Sequence, residues 1–335
     1  MTKKKKIAII GDGGWGTTLG VVLCNKGFDI TLWGLFPDNI DLIKSRNENV
    51  KFLAGIKIPA GMKPTCSMDE ALNGADAVIL AVPSQFLRSI LEMLKMHRID
   101  DIKLISVVKG IENTTLKRMS EVIVDVLGKR KIVVLSGPTI ALEVANGSPT
   151  TAVAASEDMK LAEEVQEIFR TERLRIYTSS DVVGVELGGS IKNIVAIAAG
   201  VCDGLGYGSN AKAALLTRGL VEIVRLGTAM GARKETFYGL AGLGDLATTC
   251  VSQYSRNRWL GEEIGKGKKL ADILRGTDMV VEGVATAKSV YDLSKKYKVE
   301  MPITEEVYKV LYENKDPQKA VRDLMTRAPK DESRN

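Results

Sequence analysis

Between residues 6 and about 177, short runs of β-branched and aliphatic residues alternate with longer stretches whose apolar positions recur every three or four residues. The short runs predict strands at 7–10, 29–33, 77–82, 104–108, 132–135, 151–155 and 174–177. The longer stretches, 86–94, 116–127 and 161–169 among them, have the period of helices with one apolar face. Alternation of this kind predicts a doubly wound α/β domain, a parallel sheet with helices on both faces. Beyond about residue 180 the strand pattern stops, and 191–201, 213–230, 260–264, 285–297 and 305–311 all have helical spacing. A chain of 335 residues exceeds one ordinary core, so the expected organisation is an α/β domain over 1–180 and an all-helical domain over 181–335.

Composition narrows the chemistry. Aromatic residues make up 5% and glycines number 32, which suits close backbone approach better than the stacking platforms of nucleic-acid binders. The net charge of +6 is spread along the chain and permits small anionic ligands without requiring them. The basic run at 3–6 leads within a few residues into glycines, so no export signal is expected. No stretch of about 18 uninterrupted apolar residues occurs, and no membrane span is expected. Cys24, Cys66, Cys202 and Cys250 are far apart, without metal-binding spacing, and are expected to be buried free thiols in a reducing compartment. The one histidine, His97, follows an apolar helix in a polar connection, where a surface role is expected. Any proton chemistry therefore needs another side chain.

The first strand runs into Gly11-Asp12-Gly13-Gly14-Trp15-Gly16, a G-x-G-x-x-G turn leading into a helix. Such a turn presents backbone N–H groups and a helix dipole to a pyrophosphate. Gly11 allows the tight turn, Gly13 allows the phosphates to approach, and Gly16 allows the helix to pack on the strand. A purely structural turn is the alternative. The second strand ends in Trp33-Gly34-Leu35-Phe36, with neither the acid typical of NAD sites nor an arginine, so cofactor preference stays open.

In the second half, Lys192 is read within a segment, 186–193, that opens a helix, on the face shared by Val195, Ala196 and Ala199. Desolvation there, with other cations nearby, would lower an ammonium's pKa and make it a proton donor or acceptor near neutrality. A solvated helix lysine is the alternative. Glycines precede Asp245, and Ser255, Arg256 and Asn257 follow further on, groups suited to a phosphate monoester, although a basic surface loop would have the same composition.

The blocks GDGGWGTTLG, SVVKGIE, SGPTIALEVANG, ELGGSIKNIVAIAAGVCDGLGYGSNAKAALLTRGL, GLAGLGDLATTC, SRNR and VVEGVATA occur in this order over nearly the whole chain. Together they resemble the bacterial-type NAD(P)-dependent glycerol-3-phosphate dehydrogenase family. The resemblance implies an N-terminal Rossmann-like domain and a C-terminal helical domain. It implies NAD(P)H or NAD(P)+ as cofactor, dihydroxyacetone phosphate and sn-glycerol 3-phosphate as substrates, and no metal. A cytoplasmic homodimer supplying phospholipid synthesis is a further expectation. By resemblance Lys192 is the general acid/base, with Asp245 beside it. Lys109, Gly137, Thr139, Asn193, Ser255, Arg256 and Asn257 would contact substrate. Trp15, Lys109, Ala141, Arg256, Val280 and Glu282 would join Gly11, Gly13, Gly14 and Gly16 at the cofactor. The sequence departs from the pattern at Gly14, where serine is common, and at Leu35, where a basic residue or histidine often meets the adenosine side. The second departure argues against strong NADP preference. A β-hydroxyacid or 6-phosphogluconate type dehydrogenase and a non-catalytic NAD(H) sensor are the alternatives; the SRN and GLGDL blocks disfavour the first, and the joint presence of Lys192, Asp245 and Arg256 the second.

Overall fold

The computed structural model describes residues 5–99, 101–329 and 331–332. Lys3 and Lys4 of the basic run, and Lys330 and 333–335 of the polar tail, lie outside them. The chain forms two compact units, Met1–Lys109 with Met119–Val182, and Gly110–Arg118 with Val183–Asn335.

The first unit is an eight-stranded sheet: β1 Lys6–Ile10, β2 Asp29–Trp33, β3 Met62–Thr65, β4 Ala77–Leu80, β5 Lys103–Ser106, β6 Ile132–Ser136, β7 Thr150–Ala155 and β8 Leu174–Ser179. Its order is β3-β2-β1-β4-β5-β6-β7-β8, so direction of winding reverses between β1 and β4. Its helices are α1 Gly14–Asn25, α2 Pro37–Arg46, α3 Met68–Leu72, α4 Leu87–Lys95, α5 Met119–Leu127, α6 Ala141–Ala145 and α7 Met159–Phe169. Both faces of the sheet are buried. Ile7 and Ile9 point into a core with Leu19 and Leu23 of α1 and Val165 of α7, while Ala8 and Ile10 point into a second core with Leu91 of α4 and Val122 of α5.

Two features depart from the sequence expectation. β3 has lysine and proline at its centre, residues that hide a strand pattern, and it survives because it is an edge that pairs only with β2. β7 runs antiparallel to β6, so the sheet is not wholly parallel. The only helix between them, α6, has five residues and spans about 7.5 Å. That is too short to carry the chain back to the start of the sheet, so β7 enters from the end at which β6 left.

The second unit is helical: α8 Val182–Gly204, α9 Ser209–Ala229, α10 Asp245–Val251, α11 Arg256–Gly265, α12 Leu270–Arg275, α13 Glu282–Tyr297, α14 Pro302–Tyr312 and α15 Pro317–Met325. The segment Gly110–Arg118 belongs here because Ile111 is fully buried in this unit's core and Arg118 pairs with the buried Glu186. Helix α8 starts at Val182, so the block 186–193 lies inside it and does not open it. It is the one described helix long and apolar enough to cross a membrane, but 83% of its apolar window is buried inside the protein, as in a central core helix. Of the thiols, Cys202 and Cys250 are buried, Cys24 is half-buried and Cys66 is exposed, contrary to expectation at Cys66. Cys66 directly follows the edge strand β3.

Glu222 ties α9 to α14. Its carboxylate accepts from the amides of Ile303 (2.6 Å) and Thr304 (3.1 Å) and from the Thr304 hydroxyl (3.0 Å). These are first-turn donors of α14 that would otherwise lack partners. Burial pushes the Glu222 carboxyl up to about 7 against the pull of those three donors. Its folded pKa is above the unfolded value of 4.5, so its proton contributes stability that is complete below pH 4.5 and is lost as pH rises through about 7. The expected loss is on the order of 3 kcal/mol. Urea denaturation at pH 5 and pH 8 measures it. Glu222→Ala is expected to flatten that dependence and to destabilise by about 3 kcal/mol at neutral pH, since three donors lose their acceptor. An unchanged pH profile in the variant would refute this account.

Candidate active site

In the first unit, Gly11 has φ +121°, and a Cβ there would lie 2.5 Å from the Ala81 carbonyl oxygen. A Cβ on Gly16 would lie 2.1 Å from the Gly11 oxygen, so strand and helix touch backbone to backbone. Gly13 caps α1 without a side chain, and the space beside it is open: a Cβ would meet nothing within 4 Å. Gly14 is buried and Trp15 half-buried against the core. The structure thus places an accessible helix N-terminus at the carboxyl ends of β1 and β4, where the order of strands reverses. That geometry fits a dinucleotide pyrophosphate.

Lys109, Gly137, Thr139 and Ala141 collect beyond the ends of β5 and β6. Lys109 Nζ donates to the Gly137 oxygen at 2.9 Å, and the Thr139 hydroxyl donates to the same oxygen at 3.1 Å. Gly137 has φ +146°, and its missing Cβ would lie 2.9 Å from Ala152 Cα on β7. Ala141 begins α6 and accepts a hydrogen bond from Thr18 of α1 at 3.1 Å, which links this cluster to the glycine turn. His97 is half-buried and faces Asp69 at 2.9 Å.

In the second unit, Lys192 and Asp245 are 6% and 1% exposed. Lys192 Nζ donates to Asp245 Oδ1 at 2.8 Å and to Thr249 Oγ1 at 2.5 Å. The immediate partner is thus a carboxylate, not the neighbouring cations that the sequence leads one to expect. Thr249 was not singled out from the sequence. Its signal was present, since it stands four residues after Asp245 and so on the same face of α10. Before α10 the chain makes one wide turn, closed by Gly244 N donating to the Gly239 oxygen five residues back at 3.1 Å. Gly188 of α8 packs against that turn, where a Cβ would lie 2.4 Å from the Ala241 oxygen. These contacts bring Asp245, first residue of α10, against α8. Burial pushes the neighbouring Cys250 thiol up to about 12, so it stays neutral and does not compete as a proton carrier.

Asn193, next to Lys192, accepts from Asn257 Nδ2 at 2.9 Å, and Asn257 Oδ1 accepts from Gly283 N at 2.8 Å. Ser255 caps α11 by accepting from Arg258 N. Arg256, the first residue of α11, donates to the Val280 oxygen at 3.4 Å. Burial lowers its pKa and Glu282 raises it, and a guanidinium stays charged at neutral pH. Val280 itself is exposed. So Lys192, Asn193, Asp245, Ser255, Arg256, Asn257, Val280 and Glu282 form one neighbourhood within this unit.

That neighbourhood depends on an unusually close crossing of α8 and α11. Gly200 and Gly204 on α8 face Gly261 and Gly265 on α11, each pair spaced by four residues. A Cβ on Gly200 would lie 1.9 Å from the Arg258 oxygen, and one on Gly261 would lie 1.9 Å from the Ile197 oxygen. Both G-x-x-x-G spacings are visible in the sequence, but spacing alone does not say which helix they meet.

The family described as NAD-dependent glycerol-3-phosphate dehydrogenase N-terminus matches residues 6–162, and its C-terminal counterpart matches residues 181–322. A glycerol-3-phosphate dehydrogenase (NAD(P)+) of Chlorobium limicola is 48% identical over 329 residues, covering 97% of this chain and 99% of the relative. One from Clostridium tetani is 47% identical, covering 98% of this chain and 94% of the relative. The crystal structure of glycerol-3-phosphate dehydrogenase from Coxiella burnetii superposes with a TM-score of 0.94 at 37% identity, covering 97% of this chain and 99% of that one.

Proposed function

The chain belongs to the NAD-dependent glycerol-3-phosphate dehydrogenase family, and on that premise we propose that it interconverts sn-glycerol 3-phosphate and dihydroxyacetone phosphate with NAD(H) or NADP(H), Lys192 carrying the proton. The observation that carries the mechanistic part is the buried contact of Lys192 with Asp245 and Thr249. Oxidation at C2 of the substrate removes a hydride from carbon and a proton from oxygen, and the bound nicotinamide supplies the hydride chemistry. In the reductive direction Lys192 Nζ donates its proton to the oxygen that becomes the hydroxyl, and its charge stabilises the developing alkoxide. Asp245 and Thr249 hold Nζ in one position, so little reorganisation is needed at the moment of transfer. Arg256 makes charge-assisted hydrogen bonds to the phosphate, and Asn257, braced by Asn193 and Gly283, adds a neutral donor or acceptor. In the first unit, Gly11, Gly13, Gly14, Trp15, Gly16 and Ala141 are the proposed cofactor contacts, with Lys109, Gly137 and Thr139 as further ligand contacts. A cytoplasmic homodimer feeding phospholipid synthesis completes the proposal. Deletion of the gene is then expected to lower cellular glycerol 3-phosphate, and sedimentation of the protein is expected to give twice the chain mass.

The test is the initial rate of reduced-cofactor oxidation with dihydroxyacetone phosphate, compared with unphosphorylated dihydroxyacetone. Arg256→Ala is expected to raise KM for the phosphorylated substrate by about thirtyfold, the equivalent of one lost charge-assisted contact pair, and to leave the poor turnover of dihydroxyacetone unchanged. Cofactor binding without turnover of either substrate would favour the sensor reading.

A further inference from the structure

We propose that Asp12, inside the glycine turn, supplies the carboxylate that the end of β2 lacks, and that it makes the protein select NADH over NADPH. The inference rests on the cofactor reading above and deepens it. In dinucleotide folds the acid that receives the ribose hydroxyl stands about 20 residues beyond the glycine turn, at the end of the second strand. Here that place is Gly34, directly after β2. A Cβ built on Gly34 would lie 2.6 Å from Asp12 Cγ and 2.6 Å from Asp12 Oδ2. The carboxylate of Asp12 therefore occupies the volume into which a side chain at position 34 would project. The charge arrives from the turn, and glycine at 34 leaves room for it.

The carboxylate is held in that place. Asn39 Nδ2, on α2, donates to Asp12 Oδ2 at 2.6 Å, and Asn49 Nδ2 donates to the Asp12 backbone oxygen at 2.7 Å and to Thr17 Oγ1 at 2.8 Å. Asn39 Oδ1 is buried without a hydrogen-bond partner among the described residues. Turning the amide over would set that oxygen against the carboxylate, so the orphaned acceptor follows from fixing Asp12. An unsatisfied buried group of this kind calls for a reason, and a cofactor contact is one. Half-buried, Asp12 keeps access to solvent and to a ligand.

Among the described residues, no cation forms an ion pair with it. Leu35 and Phe36 follow Gly34 and are 49% and 67% exposed, a surface that suits an adenine face but offers nothing to a phosphate. The nearby Lys44 leans toward Asp41, at 4.0 Å. A ribose 2′-hydroxyl can donate to Asp12, whereas a 2′-phosphate would bring at least one like charge against it.

Equilibrium binding of NADH and NADPH, followed by nicotinamide fluorescence without substrate, tests the assignment on wild type, Asp12→Asn and Asp12→Ala. Asp12→Asn keeps an acceptor for Asn39, so the turn keeps its brace. Wild type is expected to bind NADH roughly tenfold or more tightly than NADPH at low salt, with the gap narrowing as salt is added. Both variants are expected to shrink that ratio by about tenfold, mostly through tighter NADPH binding. Adding Leu35→Arg to Asp12→Asn is expected to push the preference toward NADPH. A ratio unchanged while both affinities fall together would overturn the assignment and leave Asp12 as a brace for α2. Binding of neither cofactor by wild type would overturn the dehydrogenase reading itself, and this assignment with it.

Discussion

Lys192→Met is expected to lower kcat for dihydroxyacetone phosphate reduction by about a thousandfold while the affinity for reduced cofactor is kept. General acid catalysis by a positioned side chain contributes factors of about 100 to 10,000, and the neighbouring Cys250 thiol, pushed up to about 12, is a poor substitute. The same substitution has a second effect. Lys192 and Asp245 are both buried, and deleting one member of a buried ion pair costs about 3 kcal/mol because the remaining charge loses its counter-ion. Activity and stability are separated by the double variant Lys192→Met with Asp245→Leu. A buried pair replaced by apolar residues of similar volume recovers stability, so urea denaturation should return toward wild type. Turnover should stay lost. Recovery of turnover along with stability would show that the lysine is structural, and the proposed mechanism would fall.

Gly261→Ala is expected to destabilise the protein by about 2 kcal/mol and to weaken catalysis, although alanine is the better helix former. Propensity favours the change by about 1 kcal/mol. Against that, the new methyl would sit 1.9 Å from the Ile197 carbonyl oxygen of α8, a backbone atom that cannot turn aside. The helices must separate, and overpacking of this kind costs about 1 to 3 kcal/mol or more. The clash outweighs the propensity. Because Arg256 and Asn257 open α11 while Lys192 and Asn193 stand on α8, separation displaces the proposed phosphate ligands from the proposed proton donor. A misplacement near 1 Å lowers rate by about a hundredfold. Gly276→Ala is the control, since its Cβ would approach nothing closer than 3.5 Å and should change neither property. A Gly261→Ala protein as stable as wild type would refute the close-crossing account.

Seven of the eight strands and the helical character of the second unit could be read from the chain, because period two and period 3.6 are local properties that burial imprints on neighbouring positions. The glycine turn and the family-specific blocks were legible for the same reason: each is a short stretch whose spacing already contains its chemistry. β3 was hidden because an edge strand has little burial to imprint, and Lys63 and Pro64 break its pattern. The direction of β7 depended on how far α6 could carry the chain, which is a matter of length in space.

The functional contacts divide along the same line. That Lys192, Asp245 and Arg256 are chemically capable side chains was plain from their types. Their meeting was decided by contacts over 53 residues between Lys192 and Asp245 and over 64 between Asn193 and Asn257. The residues that make this meeting possible, Gly200, Gly204, Gly261 and Gly265, have no chemistry of their own, and their role exists only once two helices touch. Asp12 is the same case in the first unit: along the chain it is one variable position of a glycine turn, and only the fold sets its carboxylate in the space left by Gly34. Local periodicity is written by hydrogen bonding and burial within each element, whereas a site is a coincidence of distant elements. Close packing of backbones and the conversion of an absent side chain into room for another are settled only in three dimensions.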